Sequence, residues 1–270
     1  MELTVFEIIS IGNELLNGRT LNTNAHWLSS RITSLGGFVR RITVVRDELE
    51  EISSAVEEAL NRGSDWIITS GGLGPTFDDL TLEGVAKALG LELELNEEAL
   101  KMIAERYREM EREGALKAEL TPQRLKMATL PKGSSPLRNP VGTAPGVLIG
   151  LNGSYIACLP GVPGEMKAIF DEELVPLIKS KIKRVFRAFR RARLVGVAES
   201  DLAPLIDEVR KRFGVYIKSH PVGRYEGKCR LELDVYAHRP NEEEAKRLVD
   251  GALEALKEAL SGKAERFELE

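Results

Sequence analysis

Three short apolar runs, separated by two amphipathic stretches, constrain the fold from the start of this chain. Residues 3–11 (LTVFEIISI), 38–46 (FVRRITVVR) and 65–69 (DWIIT) are rich in β-branched and aromatic side chains and end at glycine or polar residues, as strands do. Between the first two runs, Ala25, Leu28, Ile32 and Leu35 recur at helical spacing, with Asn22 or Thr23 as N-cap and Gly36 as the stop. Between the second and third, Ile52, Val56, Ala59 and Leu60 follow the same spacing. Asp47 with Glu50 reads there as a capping-box start, and Gly63 as the end. A βαβαβ order with short links predicts parallel strands with helices packed on both faces of the sheet, a three-layer α/β domain.

Helical pattern resumes after Asp79, and residues 97–113 predict a strongly charged helix. Thr121-Pro122 supplies a cap and a first-turn proline for a shorter one. The stretch 131–146 (PKGSSPLRNPVGTAPG) is dense in proline and glycine and reads as a long loop, which in a compact domain is usually functional. VLIGLNGSYIACL predicts a hairpin turning at Asn152-Gly153, and PGVPGEM leads into a helix over about 164–178, where the first domain is expected to close. Residues 179–270 then read as a small α+β module of βαββα order, with strands at about 184–197, 215–219 and 228–237 and helices at 199–212 and 241–260.

With 43% hydrophobic and 30% charged residues in 270, the chain has the balance of a globular protein of one or two domains. The net charge of -4 divides unevenly. Residues 1–178 hold 17 Lys+Arg against 26 Asp+Glu, giving -9, and residues 179–270 hold 21 against 16, giving +5. Nothing global draws the protein to nucleic acid or to an anionic membrane. Cys158 and Cys229 are the only cysteines, which excludes a disulfide framework and fits a cytoplasmic protein. The N-terminal apolar run is too short and too acidic for a signal peptide, and no stretch reaches membrane-spanning length. A single glutamine, Gln123, amid many Glu, Lys and Arg matches thermophilic composition.

The sharpest local signal is Ser70-Gly71-Gly72-Leu73-Gly74-Pro75-Thr76, placed after the third strand and before a helix. Glycines there let backbone N–H groups converge on an anion, with phosphate the natural guest. The alternative is a tight strand-to-helix turn. Asp78 and Asp79 follow at once; one carboxylate would serve as a cap, whereas two beside a phosphate loop can hold a hard divalent cation or orient water. Asp47 and Glu14, each at the carboxyl end of a predicted parallel strand, belong to the same sheet edge, so four carboxylates are expected to converge. A second turn, Leu159-Pro160-Gly161-Val162-Pro163-Gly164-Glu165, aims another helix start at that edge. His26, His220 and His238 lack metal-ligand spacing, and no Walker A loop, G-x-S-x-G elbow or HExxH occurs. Cys158 falls in a buried strand and reads as inert. The basic run Lys179–Arg193 reads as a solvated strand face, and the βαββα module lacks the GxxG loop of RNA-gripping KH domains, so nucleic acid is not an expected partner.

Taken together, IGNELLNGRTLNTNAHWLSSRITSLGG, VVRDELEEI, ITSGGLGPTFDDLTLEGVAKALG, NPVGTAPG and LPGVPGEM resemble the N-terminal domain of the CinA family, within the molybdopterin-binding superfamily of Mog, MoaB and MoeA-like proteins. The resemblance covers about residues 1–178, and the second module is similar to the small KH-type domain that follows in longer relatives. It implies two activities. Mog-type enzymes bind a pterin phosphate and a magnesium nucleotide and transfer an adenylyl group, and the acidic residues of that motif match Asp79 and Asp47. CinA-type proteins are associated with metal-dependent hydrolysis of ADP-ribose at its pyrophosphate. Leu73 replaces the threonine of Mog-type loops and GPTFDDLT follows the CinA form. Relatives often carry a further amidase domain; this chain ends at Glu270, so deamidation is not carried over.

The expectation is therefore a hydrolase of phosphoanhydride bonds, a divalent-metal-dependent nucleotide pyrophosphatase acting on ADP-ribose or a similar dinucleotide. Asp79, Asp47, Asp78 and Glu14 are its catalytic candidates. Asp78, Asp79 and Asp47 would hold Mg²⁺, Mn²⁺ or Co²⁺. Ser70, Gly71, Gly72, Leu73, Gly74 and Thr76, with Gly142, Gly161, Pro163 and Glu165, would hold phosphate, and Asn13, Asn24 and Thr143 a ribose or base. The alternatives are a molybdopterin- or nucleotide-binding protein or adenylyltransferase, and a non-catalytic binding module. Because the second module offers exposed strands, a homodimer is expected, with relatives also forming trimers.

Overall fold

The computed structural model describes residues 3–112, 114, 119, 121–151, 153–182 and 186–270, and the chain divides into two compact units, residues 1–183 and 184–270. In the first unit, β1 (Val5–Ile11) leads through a short turn of helix, α1 (Asn13–Leu16), into α2 (Thr23–Ser34), β2 (Phe38–Val45), α3 (Leu49–Asn61) and β3 (Trp66–Ser70). There follow α4 (Thr81–Leu89), β4 (Leu93–Leu95), α5 (Glu97–Arg112), α6 (Pro122–Lys126), β5 (Thr129–Pro131), β6 (Ser135–Leu137), β7 (Gly146–Gly150) and β8 (Tyr155–Leu159). The last helix is continuous through α7 (Pro163–Ile169), a π turn (Phe170–Leu174) and α8 (Val175–Lys181). Pro176 has no N–H to give to the preceding turn, and the widened π turn lies where that bond is missing.

The main sheet runs β2-β1-β3-β8-β7-β6. The first four strands are parallel, and β7 and β6 add an antiparallel edge. Side-chain alternation along β1 divides the core. Phe6 and Ile8 join Leu28 and Ile32 of α2 on one face, while Ile9 and Ile11 join Ile52 and Val56 of α3 on the other. Because α2 and α3 leave on opposite faces and β2 and β3 flank β1 on opposite sides, the carboxyl ends of β1 and β3 border a crevice, where open α/β sheets take their ligands. At the other end of the sheet Phe6, Trp66 and Tyr155 stack in a row across β1, β3 and β8, with ring centroids 5.9 and 4.5 Å apart.

Several expectations are corrected. Asp47 does not cap α3: Glu48 holds the N-cap position without a side-chain bond, and the Asp47 carboxylate accepts the Asn13 N–H at 2.8 Å. Part of the expected loop 131–146 is strand, since Ser135–Leu137 pairs with β7; Pro136 is tolerated because β6 is the edge of the sheet. The β4–β5 ribbon was not legible. The last helix extends beyond 178 to Lys181, and the units divide after 183. The predicted hairpin forms, with Asn152 of its turn outside the described residues.

The second unit has β9 (Phe186–Val195), α9 (Glu199–Phe213), β10 (Tyr216–Tyr225), β11 (Lys228–Arg239), α10 (Glu242–Ala259) and β12 (Arg266–Leu269). Its antiparallel sheet is ordered β10-β11-β9-β12, so the module is βαββαβ rather than βαββα. Four residues were too few to read as a strand; β12 exists because it pairs with β9. Of the basic run, Arg191 and Arg193 are neutralised across the sheet by Asp234 and Glu232, at 2.7 and 3.1 Å.

Glu7, 1% exposed in the middle of β1, is the buried charge of the first unit. Arg62, just past α3, binds it at 2.7 Å, the Ser64 hydroxyl donates to it at 3.0 Å, and Arg40 lies 3.9 Å away. Burial pushes this carboxyl up, but the Arg62 and Ser64 hydrogen bonds outweigh burial and hold it below its ordinary value. Its stabilisation is thus complete above the ordinary carboxylate value and is lost as pH falls through the lower folded value. Glu7→Gln should cost about 2–3 kcal/mol, the low side for a broken buried pair because Arg62 keeps some exposure. The variant should unfold at lower urea concentration near neutral pH and converge with the wild type on acidification; equal midpoints at pH 7 would contradict this role.

Candidate functional site

A cleft of about 450 Å³ opens at the carboxyl ends of β1, β3 and β8. Its floor is the loop after β3. Gly71 turns with φ +114° and donates its N–H to Leu159 O at the end of β8, 3.0 Å away, while a side chain on it would meet Ile11 O at 2.2 Å. Only glycine fits there. Thr81, opening α4, ties the loop down from behind, its N–H to Gly72 O at 3.1 Å and its hydroxyl to Gly71 O at 2.7 Å. The backbone N–H groups of Gly72, Leu73 and Gly74 have no acceptor among the described residues, which leaves three successive donors for an anion.

Glu14, Asp47, Asp78, Asp79 and Glu165 line this cleft, together with residues 71–76, Thr143 and Gly161. The carboxylates of Asp78 and Asp79 share the hydroxyl of Thr76, and Asp79 Oδ2 also accepts the Thr76 N–H at 2.8 Å. The Thr76 hydroxyl, then its own backbone, holds the Asp78 carboxyl below its ordinary value, with the charge of Lys126 adding to the effect. Lys126, from α6, clamps the loop by donating to Thr76 O at 2.6 Å and Asp79 O at 2.7 Å. Glu165 is fixed by Asn139, whose amide donates to its Oε2 at 2.7 Å and to Ala144 O at 2.8 Å while its carbonyl takes the Val141 and Gly142 N–H groups. Gly142 is required by closeness, since a Cβ there would lie 2.0 Å from the Glu165 carboxylate.

The other candidates are placed differently. Ser70 is buried, hydrogen-bonded to Asn24 at 3.0 Å, and lines a neighbouring pocket of about 110 Å³ with Glu14, Asn24, Gly161 and Pro163. Asn24 also donates to Gly161 O at 2.8 Å, tying α2 to the second turn, and its buried Oδ1 has no partner. Asn13 enters only through its backbone N–H to Asp47, and Gly142 and Thr143 line a further pocket beneath α5. Burial pushes the Cys158 thiol up to about 12, which makes it inert. Lys126 and Asn139 were missed. Asn139 stood in the quoted NPVGTAPG motif, but Lys126 gave no local signal.

Among the described residues no three His, Cys, Asp or Glu are grouped to hold a metal ion. The four predicted carboxylates therefore share one cleft without forming a cage. They are hard oxygen donors, suited to one or two bonds to a cation that brings other ligands with it.

Residues 7–180 match the model of the probable molybdopterin binding domain. A protein of Sulfurisphaera tokodaii is 48% identical over 260 residues, 96% of this chain and 95% of that one. The protein PAE0875 of Pyrobaculum aerophilum is 48% identical over 254 residues, 94% and 93% of the two chains. Among solved structures, the CinA protein of unknown function from Thermoplasma acidophilum is 46% identical with a TM-score of 0.59, covering 65% of this chain and 99% of that one. The sheet with its hairpin edge, the glycine loop and these matches together show that the chain belongs to the molybdopterin-binding domain family, in its CinA-like branch.

Proposed function

We propose that the cleft binds a phosphorylated pterin or nucleotide as its complex with a divalent cation. One observation carries this: an anion-binding backbone loop lies in a cleft lined by five carboxylates, Glu14, Asp47, Asp78, Asp79 and Glu165, and by no Lys or Arg. A bare phosphate entering there meets like charge, which three N–H dipoles only partly offset. Phosphate and cation entering together satisfy both halves of the site. The N–H groups of residues 72–74 take phosphate oxygens, and the carboxylates take the open faces of the cation. The family supports the pterin or nucleotide class of ligand.

Hydrolysis of ADP-ribose or a similar dinucleotide is the second reading, favoured by the adjacent Asp78-Asp79 pair and the CinA-like form of the loop. A hard divalent cation supplies charge neutralisation to a pyrophosphate and its leaving group. Asp79, oriented by the Thr76 N–H and hydroxyl, is the residue of this chain placed to hold a water against phosphorus.

Metal-stripped protein should bind ADP-ribose at least about tenfold more tightly once Mg²⁺, Mn²⁺ or Co²⁺ is added, measured by titration calorimetry; cation-independent binding would sink the complex reading. If the protein hydrolyses, AMP and ribose 5-phosphate form only with cation, and Asp79→Asn abolishes turnover with an unchanged melting temperature, since asparagine still accepts the Thr76 N–H. Turnover in that variant removes Asp79 from the chemistry. Product formed instead from ATP and a pterin would identify adenylyl transfer. A further expectation concerns the clamp. Lys126→Met removes two charge-assisted bonds and should speed amide exchange at residues 76–79 about tenfold or more while β1 and β3 stay protected; unchanged exchange would show that the loop holds itself.

A further inference from the structure

Beneath α5 lies a second pocket, of about 270 Å³, that the proposed chemistry does not use. Helical spacing brings Glu98, Lys101, Met102 and Glu105 to one face of α5, opposite the loop carrying Arg138. Thr143 lines both this pocket and the main cleft, so the two basins adjoin. The wall between them is rigid, because Asn139 holds it to Glu165 and Arg106 holds it to α5 through Val141 O at 2.8 Å.

The polar groups of this pocket are unspent. Among the described residues Glu98, Glu105, Lys101 and Arg138 make no ion pair or hydrogen bond, and the Nε of Arg106 is a buried donor without an acceptor. Acceptors and donors therefore alternate around a small volume flanked by Met102, Pro140 and Pro145. A second phosphate would be repelled by the two glutamates, and no aromatic ring lines the pocket to stack on a base. A sugar suits it. Neighbouring hydroxyls donate to carboxylates and accept from Lys or Arg, and the C–H faces of the ring pack on methionine and proline.

We infer that this pocket is a sugar subsite, taking the ribosyl hydroxyls of a ligand whose phosphates lie in the main cleft. The inference rests on the phosphate reading of that cleft and deepens it, since it selects a nucleotide over a pterin.

The test uses the full chain with Mg²⁺ and two probes, pyrophosphate and ADP-ribose, titrated into wild type and into Glu98→Ala/Glu105→Ala. Both positions are exposed and should not disturb folding, which thermal melting verifies. Wild type should bind ADP-ribose more tightly than pyrophosphate. The double variant should lose about tenfold in ADP-ribose affinity with pyrophosphate affinity within about twofold of wild type. Equal loss for both probes, or no loss for either, overturns the subsite while leaving the phosphate cleft standing. Wild type that binds neither probe overturns the phosphate reading and the subsite together.

Discussion

Everything in the candidate site hangs on one close approach, that of the loop leaving β3 to the ends of β1 and β8. Gly71 donates to Leu159 O and sits where any side chain would strike Ile11 O. With that contact, the exits of three parallel strands are drawn to one point and the next three N–H groups face the cleft. Without it, the chain after β3 would have to detour around Ile11, and Thr81 could not reach Gly71 O and Gly72 O to start α4 behind the loop. Two further glycine contacts extend the arrangement. Gly161 comes so near that a Cβ on it would touch Gly71 Cα at 3.4 Å, and Gly142 leaves the space that Glu165 fills. The site is compact because backbone packs on backbone there.

Such a site needs a sheet that does not slide. The opposite end of the sheet provides this, with the Phe6–Trp66–Tyr155 stack on one face and the Glu7–Arg62 pair on the other. Each aromatic pair adds about 0.5–1.5 kcal/mol beyond its buried area. More to the point, a one-residue slip of β1 would carry Glu7 into the apolar face and the rings into the charged one. The register that the lower end enforces is what keeps Ile11 beneath Gly71 at the upper end.

This division explains what the sequence reveals. Periodicity along one element is local, so β1 to β3, α2, α3 and the hairpin were readable from their own residues, as was the glycine run after β3. Partners far apart in sequence leave no such trace. Asp47 reads as a helix cap because Glu50 stands three residues on, yet its carboxylate is taken by Asn13, thirty-four residues earlier. Lys126 is fifty residues from Thr76, whose carbonyl it holds. β6 looks like a loop because Pro136 argues against a strand until its position at the sheet edge is known, and β12 consists of four residues whose only warrant is β9. The carboxylates were correctly placed at one sheet edge by topology, but whether they form a cage is a matter of distances that no pattern of residues encodes.

Those distances shape the chemistry. A cage of three or more carboxylates would bind its cation whether or not a ligand were present, and such a site would keep the metal as a fixed part of the protein. Here the donors are spread around the cleft, and two of them, Asp78 and Asp79, already share the single proton of Thr76. Asp78 is held below the usual carboxylate range, so acidification to ordinary values does not relieve the negative charge it brings. The negative field is therefore built in, and the cation that balances it gains most of its ligands when phosphate oxygens are present. Cation and phosphate affinities are then coupled by linkage, each raising the other by the same factor. Selectivity follows from the same arrangement: phosphate without cation faces repulsion, cation without phosphate finds an incomplete shell, and the complex of the two satisfies loop and carboxylates at once.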